Sequence, residues 1–369
     1  MKITQIEAFK IEYTIYGGKG FKVSLDRVIT VLPAIVVKVS TDEGISGYGE
    51  IGPIGSTYAE AYFNGIVPGL QELGPQLLGK DPREVKKIAD FMDMSFAGHS
   101  YVKTPLDVAC WDIFGKSTGL SVATLLGGRK MEKYPIWGLL GRQHTPETMA
   151  DAVAEFQTEG YSMFQVKVGG EVNVDAARVR AARKAIGDDE LVFMDANTGW
   201  LSSQALSFLN MVDDLDVIME QPCASYEECL YVRKNSKVPL VLDEVITSLK
   251  VLLKAYQDGA MDGFNLKIAR FGGLTGAKTI RDVGEKLGYG MTIEDFWGGD
   301  ITSAAICALI GSTEPAHYKA ATDYPSTVDI SVAEDAPRMK DGYMPVPDGP
   351  GLGIQVDDKR LGKAIATIK

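Results

Sequence analysis

The sequence predicts an α/β barrel of seven βα units and an eighth strand, preceded by an α+β module that caps it. In the second half of the chain six short apolar segments each end in a charged residue. Their last residues, 167, 195, 220, 243, 267 and 294, are separated by 28, 25, 23, 24 and 27 residues. Such regular strand ends are typical of a chain that winds strand–helix pairs into a barrel. Segments before residue 127 have a different order, strands first and helices afterwards, which indicates a separate module.

The first module is predicted over residues 1–126. Three segments rich in β-branched residues predict an antiparallel sheet: 3–13, 28–40 and 45–50. Three stretches with helical spacing of apolar residues follow: 58–78, 82–94 and 104–116. A tail, residues 340–369, contains a Gly/Pro-rich segment at 348–353 and is predicted to fold back over this module.

Two polar, glycine-bearing loops, residues 16–21 and 52–57, interrupt the first module. Loops carry function when a rigid scaffold positions them. We therefore predict that both form a lid over the mouth of the barrel. The alternative is that they are ordinary surface loops.

The barrel is predicted over residues 127–339. Its first strand is expected at 136–140 and its eighth at 317–322. The six strands between them are predicted at 164–167, 191–195, 217–220, 239–243, 264–267 and 290–294. Amphipathic stretches such as 175–185, 203–215 and 249–258 supply the connecting helices.

Composition excludes several classes of protein. The net charge of −11, from 38 Lys and Arg against 49 Asp and Glu, argues against nucleic acid as the main partner. No run reaches about 18 uninterrupted apolar residues, and the start, MKIT, lacks an apolar leader. The four cysteines match no zinc spacing, so we expect free thiols in a reducing compartment. We therefore expect a soluble, cytoplasmic homo-oligomer that acts on a small molecule and binds neither nucleic acid nor membrane.

Three consecutive strand ends carry carboxylates: Asp195, Glu220 and Asp243. Strands in a barrel end at one mouth, so these side chains are expected to lie close together. Uncompensated, they would repel one another. Oxygen ligands suit Mg²⁺ better than zinc, which favours histidine and cysteine, so we predict a magnesium site. The alternative is three ordinary solvated or salt-bridged acids.

The third ligand is ambiguous, because Asp243 and Glu244 are adjacent. Neighbouring residues of a strand point to opposite faces, so only one of them can point toward the metal. Spacing alone does not decide between them.

Lys167 and Lys267 end the strands on either side of the three acids. A lysine acts as a base only when neutral, and its reference pKa is about 10.4. A nearby cation and a second lysine would lower that pKa, as general-base catalysis requires. Two lysines across a barrel can address both faces of one carbon. The alternative is that each merely neutralises the acids.

Five motifs in order resemble one known family: VKV at 166–168, MDAN at 194–197, MEQP at 219–222, LDE at 242–244 and NLK at 265–267. Together they resemble the enolase superfamily, and within it the muconate lactonizing enzyme subgroup, over essentially the whole chain. No histidine lies near the end of the seventh strand, which argues against the mandelate racemase subgroup.

The resemblance implies a modified TIM barrel, (β/α)7β, with one Mg²⁺ per subunit bound by Asp195, Glu220 and Asp243. It implies that Lys167 and Lys267 are the acid/base pair and that an α-proton leaves next to a carboxylate, giving an enediolate. Supporting positions around the ligands are Gln165, Asn197 and Glu244. One departure is Gln165, where many members of the subgroup carry a further lysine.

Further segments resemble enzymes of hydroxyproline and proline-betaine metabolism: GSTY at 55–58, GHSY at 98–101, EQPC at 220–223, EDFWGGD at 294–300 and GPGLG at 349–353. The resemblance implies either a betaine 2-epimerase or a cis-3-hydroxy-L-proline dehydratase. A quaternary ammonium calls for an aromatic cage. Tyr58 matches the epimerases, but residues 320–324, AATDY, lack their tryptophan.

A secondary ammonium has N–H donors and suits an acid, Glu294 or Asp323, better than a cage. We therefore predict the dehydratase, with Tyr58, Glu294, Thr322 and Asp323 contacting the substrate. One alternative is proline betaine or hydroxyproline betaine 2-epimerisation, or another racemase activity of the subgroup. Another is an inactive relative that only binds a ligand, which would predict damaged ligands or lysines; all five are present.

Overall fold

A computed structural model describes residues 1–22, 27–56, 58–187 and 190–369. Eight parallel strands form a barrel, and the barrel with its connecting helices makes up the larger part of the chain. The strands of the described residues are β1 Ile3–Thr14, β2 Phe21–Lys22, β3 Val28–Ile29, β4 Val31–Thr41, β5 Ser46–Ile51, β6 Lys133–Pro135, β7 Gly138–Leu140, β8 Met163–Lys167, β9 Leu191–Asp195, β10 Ile218–Glu220, β11 Leu240–Leu242, β12 Gly263–Lys267, β13 Gly290–Glu294, β14 Tyr318–Ala320, β15 Tyr343–Pro345 and β16 Ala366–Ile368. Their helices are α1 Ile66–Leu73, α2 Val85–Ser95, α3 Ser100–Thr118, α4 Val122–Leu125, α5 Met149–Thr158, α6 Val172–Ala185, α7 Ser202–Asn210, α8 Tyr226–Asn235, α9 Leu249–Asp258, α10 Leu274–Lys286, α11 Asp300–Gly311 and α12 Asp358–Leu361.

The barrel strands β7 to β14 lie side by side in chain order, and helices α5 to α11 connect them. The first and eighth strands meet at a parallel bridge between Trp137 and Thr322, where the Trp137 amide donates to the carbonyl of Ala321 at 3.2 Å. The predicted (β/α)7β architecture is therefore confirmed.

Local sequence signals account for the barrel elements. Strands β7, β8, β11 and β12 are buried at every position and hence on both faces, as expected for strands of a parallel sheet covered by helices. Ser225 caps α8 by accepting from the Glu228 amide, while the Glu228 side chain reaches back to the Ser225 amide. Gly259 ends α9 with a φ of 59°, a left-handed conformation that glycine adopts without steric cost.

The capping module is an antiparallel sheet in the order β16–β1–β4–β5, with α3 packed against β5. A Cβ at Gly49 would lie 2.0 Å from the carbonyl oxygen of Pro105 in α3, so only glycine permits this approach. The tail supplies β16, which pairs with β1, and β15, which pairs with β6.

Two predicted elements of this module are shorter than expected. The strand predicted at 28–40 is divided at Thr30 into β3, which pairs with β2, and β4. The helix predicted at 58–78 is regular only in α1, with 3₁₀ turns on both sides. Gly65 precedes α1 and a Gly74-Pro75 pair follows it, and both residue types weaken a continuing helix. Of the loop predicted at 52–57, Thr57 lies outside the described residues.

Glu50, at the end of the capping sheet, ties the module to the barrel. Its fully buried carboxylate accepts from the Tyr13 hydroxyl and from the amides of Gly299 and Thr302, at 2.9 and 3.0 Å, at the start of α11. A helix N-terminus favours a negative charge, so this contact fixes the cap over the end of β13.

All four cysteines are buried free thiols, as predicted. Among the described parts of the chain, no helix has both the length and the apolar character that crossing a membrane requires.

Candidate active site

The charged residues at the strand ends lie together at the mouth of the barrel. In the strand register Lys167 is opposite Asp195, Asp195 is opposite Glu220, and Lys267 is opposite Glu294. Asp243 directly follows the end of β11. The site is therefore built at the ends of six neighbouring strands, β8 to β13.

Lys167 and Gln165, both on β8, each hold one carboxylate. The Lys167 ammonium donates a short hydrogen bond to Oδ2 of Asp195, and the Gln165 amide donates to Oε2 of Glu220 at 2.9 Å. Glu220 also accepts from Asn265 on β12, at 3.1 Å. Gln165 thus orients a predicted ligand, where a lysine would have added positive charge.

Lys267 lies between two carboxylates, 3.3 Å from Oδ2 of Asp243 and 3.3 Å from Oε1 of Glu294. Asp243 is held in addition by Arg270, whose Nη1 donates to its Oδ1 at 2.8 Å and to its carbonyl at 2.9 Å. Sequence reasoning missed Arg270. Its position three residues after a strand-end lysine, on the 3₁₀ turn that follows β12, was the available signal.

Tyr58 reaches the site from the capping module. Its hydroxyl donates to Oδ2 of Asp243 at 3.1 Å, and its ring centroid lies 5.3 Å from the ammonium of Lys267. The structure therefore places Tyr58 against a predicted metal ligand and a predicted base.

Glu294, predicted to hold the substrate amine, already has several donors. Its Oε1 accepts from Asn265 and Lys267, and its Oε2 accepts from the hydroxyls of Thr322 and Tyr324 at 2.8 and 3.2 Å. A substrate ammonium would have to displace one of them. The Lys267 ammonium, at 3.3 Å, is the most distant.

Burial and mutual repulsion set the protonation of the acids. Burial, followed by the charges of Asp195 and Asp243, raises the pKa of Glu220 well above its ordinary value. Burial also raises the pKa of Asp195. Burial alone would raise the pKa of Asp243, but the charges of Lys267 and Arg270 outweigh it and lower that pKa.

Both lysines are held protonated by the acids. Burial lowers the pKa of Lys167, but the charges of Asp195 and Glu220 outweigh burial and raise it. In the same way Asp243 and Glu294 raise the pKa of Lys267 well above its ordinary value. The sequence predicts lowered pKa values for both lysines. The surrounding protein groups raise them instead, because each ammonium is paired directly with a carboxylate.

The donor set fits a hard divalent cation in its chemistry. Asp195, Glu220 and Asp243 are buried carboxylates on consecutive strand ends, and their repulsion is what a cation relieves. As they stand, no three His, Cys, Asp or Glu side chains of the described residues are grouped closely enough to hold a metal ion. The lysine ammonium groups contact Asp195 and Asp243 instead.

Glu244, the residue after Asp243, has different neighbours. Its Oε1 accepts from the Asn197 amide at 3.2 Å, and its Oε2 is buried without a hydrogen-bond partner. Burial and then the charge of Asp243 raise the pKa of Glu244 to about 8. Asp243 forms ion pairs with Lys267 and Arg270, whereas Glu244 accepts from Asn197, so the two adjacent acids have different surroundings.

An inner cavity of about 40 Å³ collects most of the predicted site residues. Those that line it are Gln165, Lys167, Asn197, Lys267, Tyr58, Glu294 and Thr322. Asp323 does not line it, because neighbouring residues at a strand end face opposite sides and Thr322 is the one that points inward. Phe21 and Ile54, from the two loops predicted to form a lid, also line it, as do five residues that sequence reasoning did not assign to the site: Arg27, Leu139, Phe296, Trp297 and Tyr324.

Comparison with known proteins identifies two matching family models. Residues 20–127 match the mandelate racemase/muconate lactonizing enzyme N-terminal domain, and residues 148–360 match the enolase C-terminal domain-like family. Among curated proteins, the chain is 42% identical over 366 residues to a cis-3-hydroxy-L-proline dehydratase of Roseibium aggregatum, covering 99% of each. It is 29% identical over 367 residues to an N-succinyl-L-Arg/Lys racemase of Bacillus cereus, covering 98% of this chain and 97% of that protein.

Solved structures agree over the whole chain. A mandelate racemase/muconate lactonizing enzyme from Roseovarius nubinhibens superposes with a TM-score of 0.95 at 35% identity, covering 100% of this chain and 98% of that one. Another from the same organism, crystallised with magnesium, gives a TM-score of 0.95 at 33% identity, with 100% of both chains covered. This chain belongs to the enolase superfamily and carries the mandelate racemase/muconate lactonizing enzyme N-terminal domain and the enolase-like C-terminal barrel.

Proposed function

We propose that this protein is a cis-3-hydroxy-L-proline dehydratase, a lyase that removes the α-proton and the 3-hydroxyl to give Δ1-pyrroline-2-carboxylate. The observation that carries the proposal is the position of Lys167 and Lys267, at opposite ends of a row of three buried carboxylates. The relative with that activity, 42% identical over the full chain, supports it.

Asp195, Glu220 and Asp243 would hold one Mg²⁺ in this enzyme. When bound, the cation would relieve the negative charge that keeps both lysines protonated and would place positive charge beside the substrate carboxylate. The chain's own contribution is to orient the three acids. Gln165 and Asn265 fix Glu220, while Arg270 and Tyr58 fix Asp243.

The stereochemistry of the substrate suits two lysines. In cis-3-hydroxy-L-proline the hydroxyl and the carboxylate share one ring face, so the α-proton and the hydroxyl lie on opposite faces. One lysine, as a neutral amine, takes the α-proton, and the C–H electron pair moves into the adjacent carboxylate to give an enediolate. The electron pair then returns to form the C2–C3 double bond as the C3–O bond breaks, and the other lysine, as an ammonium, donates a proton to the leaving hydroxyl, so that water departs. The resulting enamine tautomerises to the pyrroline.

The test is turnover of cis-3-hydroxy-L-proline with Mg²⁺ in D₂O, followed by NMR, with the wild-type protein and its Lys167→Met and Lys267→Met variants. We expect elimination by the wild type and none by either variant. Loss of the acid alone should leave exchange of the α-proton for deuterium, and loss of the base should abolish exchange as well, which assigns the two roles. Lys278→Met is the matched control, because Lys278 pairs with Asp282 at the surface of α10. Undiminished elimination without either lysine would refute the proposal.

Epimerisation at the α-carbon is the second candidate. The same two lysines can take a proton from one face and return one to the other, and the Bacillus cereus relative is a racemase. A substrate without a 3-hydroxyl, such as L-proline or proline betaine, distinguishes the two: an epimerase inverts it, whereas a dehydratase has nothing to eliminate. The predicted homo-oligomer remains a prediction that light scattering can test.

A further inference from the structure

A second, larger cavity adjoins the inner one. Its volume is about 560 Å³, against about 40 Å³ for the inner cavity. Phe21 and Leu139 line both, so a single layer of side chains separates them. The larger cavity, called the outer cavity below, opens between the loop that precedes β2, the helix α5 and the segment that follows β14.

Five aromatic side chains line the outer cavity: Tyr16, Phe21, Trp137, Phe156 and Tyr161. Two pairs of them are in ring contact, Tyr16 with Phe21 at 5.9 Å and Phe156 with Tyr161 at 5.1 Å between centroids. Burial, followed by the charge of Asp323, raises the pKa of Tyr161, so this hydroxyl stays protonated and its ring keeps its ordinary electron distribution. Such walls attract cations through the faces of their rings.

Asp323 supplies a negative charge among these rings. It is only 4% exposed, and its hydrogen-bond donors are the Tyr161 hydroxyl and the Ser326 amide, each at 3.3 Å, together with the Ser326 side chain. Burial raises the pKa of this carboxyl, while these donors and the charge of Arg338 oppose the rise. Glu155 and Glu159 add two exposed acids at the rim, against one lysine, Lys19. Burial, followed by the charge of Arg178, lowers the pKa of His144, the remaining titratable group of the lining, which is therefore neutral at pH 7. The cavity thus favours a cation.

We propose that the outer cavity is a second binding site, for an organic ammonium ion, with Asp323 as its counter-ion and the five rings as its walls. The ammonium ion is that of the amino-acid substrate on its way to the inner cavity, and this part rests on the proposed function. A polar connection joins the two cavities: the Trp137 indole donates to the Thr322 hydroxyl at 2.9 Å, which in turn donates to Glu294 at 2.8 Å.

The test uses tetramethylammonium as the probe, since it has the charge of the ligand but no carboxylate or α-proton. Its binding to the intact protein is titrated by saturation-transfer NMR, with tert-butanol as a neutral probe of similar shape. We expect saturable binding of the cation only. Asp323→Asn should weaken it about tenfold, as expected when a buried counter-ion is neutralised. Phe156→Leu should weaken it about threefold, a typical loss for one cation–π wall.

Glu294→Gln is the matched control, because it neutralises the acid of the inner cavity and should leave binding of the probe unchanged. The proposal is wrong if Glu294→Gln removes binding while Asp323→Asn does not, or if tert-butanol binds equally well. If Asp323→Asn fails to fold, which its melting curve reports, Phe156→Leu decides. Failure of the proposed function appears separately, as absence of elimination in a protein that still binds tetramethylammonium through Asp323.

Discussion

The hydroxyl of Tyr58, on the capping module, donates a hydrogen bond of 3.1 Å to Asp243, at the end of β11 in the barrel. The two residues are 185 positions apart in the chain, so the contact exists only when cap and barrel are assembled. It joins the capping module to one of the three acids proposed to bind Mg²⁺. Assembly of the cap on the barrel therefore adds a hydrogen bond to this acid.

Removing this hydroxyl should weaken metal binding. In Tyr58→Phe the ring against Lys267 is kept, but Asp243 loses one of its three side-chain partners, while Lys267 and Arg270 remain. Loss of a partner that orients a metal ligand typically costs about 10- to 100-fold in affinity. Calorimetric titration with Mg²⁺ measures the effect, and Tyr62→Phe, at a half-exposed ring on the same module, is the control. Equal affinity of Tyr58→Phe and wild type would show that the hydroxyl does not orient Asp243.

Arg270 should matter for stability as well as for the site. Its guanidinium and Asp243 form a buried ion pair, and Arg270→Met leaves that carboxylate with less compensation. Breaking a buried pair from one side costs about 3–5 kcal/mol, and Lys267 and Tyr58 remain beside Asp243, so we expect the lower end of that range. Urea unfolding of the metal-free protein at pH 7 measures it.

Arg180→Met provides the comparison, because Arg180 and Asp214 form an exposed pair on the barrel surface. Such pairs contribute less than about 1 kcal/mol. A loss for Arg270→Met as small as that for Arg180→Met would contradict the electrostatic role assigned to Arg270.

The buried carboxyl of Asp107 should make the unfolding free energy of the protein depend on pH. Burial raises its pKa to about 7, and its oxygens accept from the amide and hydroxyl of Thr275 at 3.0 and 2.6 Å. Since the folded state holds this proton more tightly than the unfolded state, the group contributes its full stability below the unfolded pKa of about 3.9, and the contribution is lost as pH rises through 7. Between pH 5 and pH 8 the unfolding free energy of the wild type should therefore fall relative to that of Asp107→Asn. Parallel curves would contradict the raised pKa.

The barrel was predictable because its signal is periodic. Each strand is short, apolar and ended by a charge, and parallel strands bring those ends to one mouth, so Lys167, Asp195 and Lys267 could be placed together from spacing alone. The resemblance to a known family added roles that spacing could not supply.

Contacts between distant elements were not predictable in the same way. Asp323 and Thr322 are neighbours in sequence, and which of them points inward depends on the register at the closing strand of the barrel. Phe21, on the two-residue strand β2, and Tyr324, on the irregular segment after β14, reach the inner cavity from parts of the chain too short to carry a periodic signal. Glu294 was predicted as the partner of a substrate amine, but Asn265 on β12 and Thr322 and Tyr324 on the segment after β14 already donate to it.

In the proposed reaction Lys167 and Lys267 divide proton abstraction and proton donation between them. The most direct measurement is the NMR spectrum of cis-3-hydroxy-L-proline in D₂O with Mg²⁺ and each single lysine-to-methionine variant. We expect that neither variant eliminates water and that only one of them still exchanges the α-proton for deuterium. Elimination at the wild-type rate by either variant would contradict this division of roles.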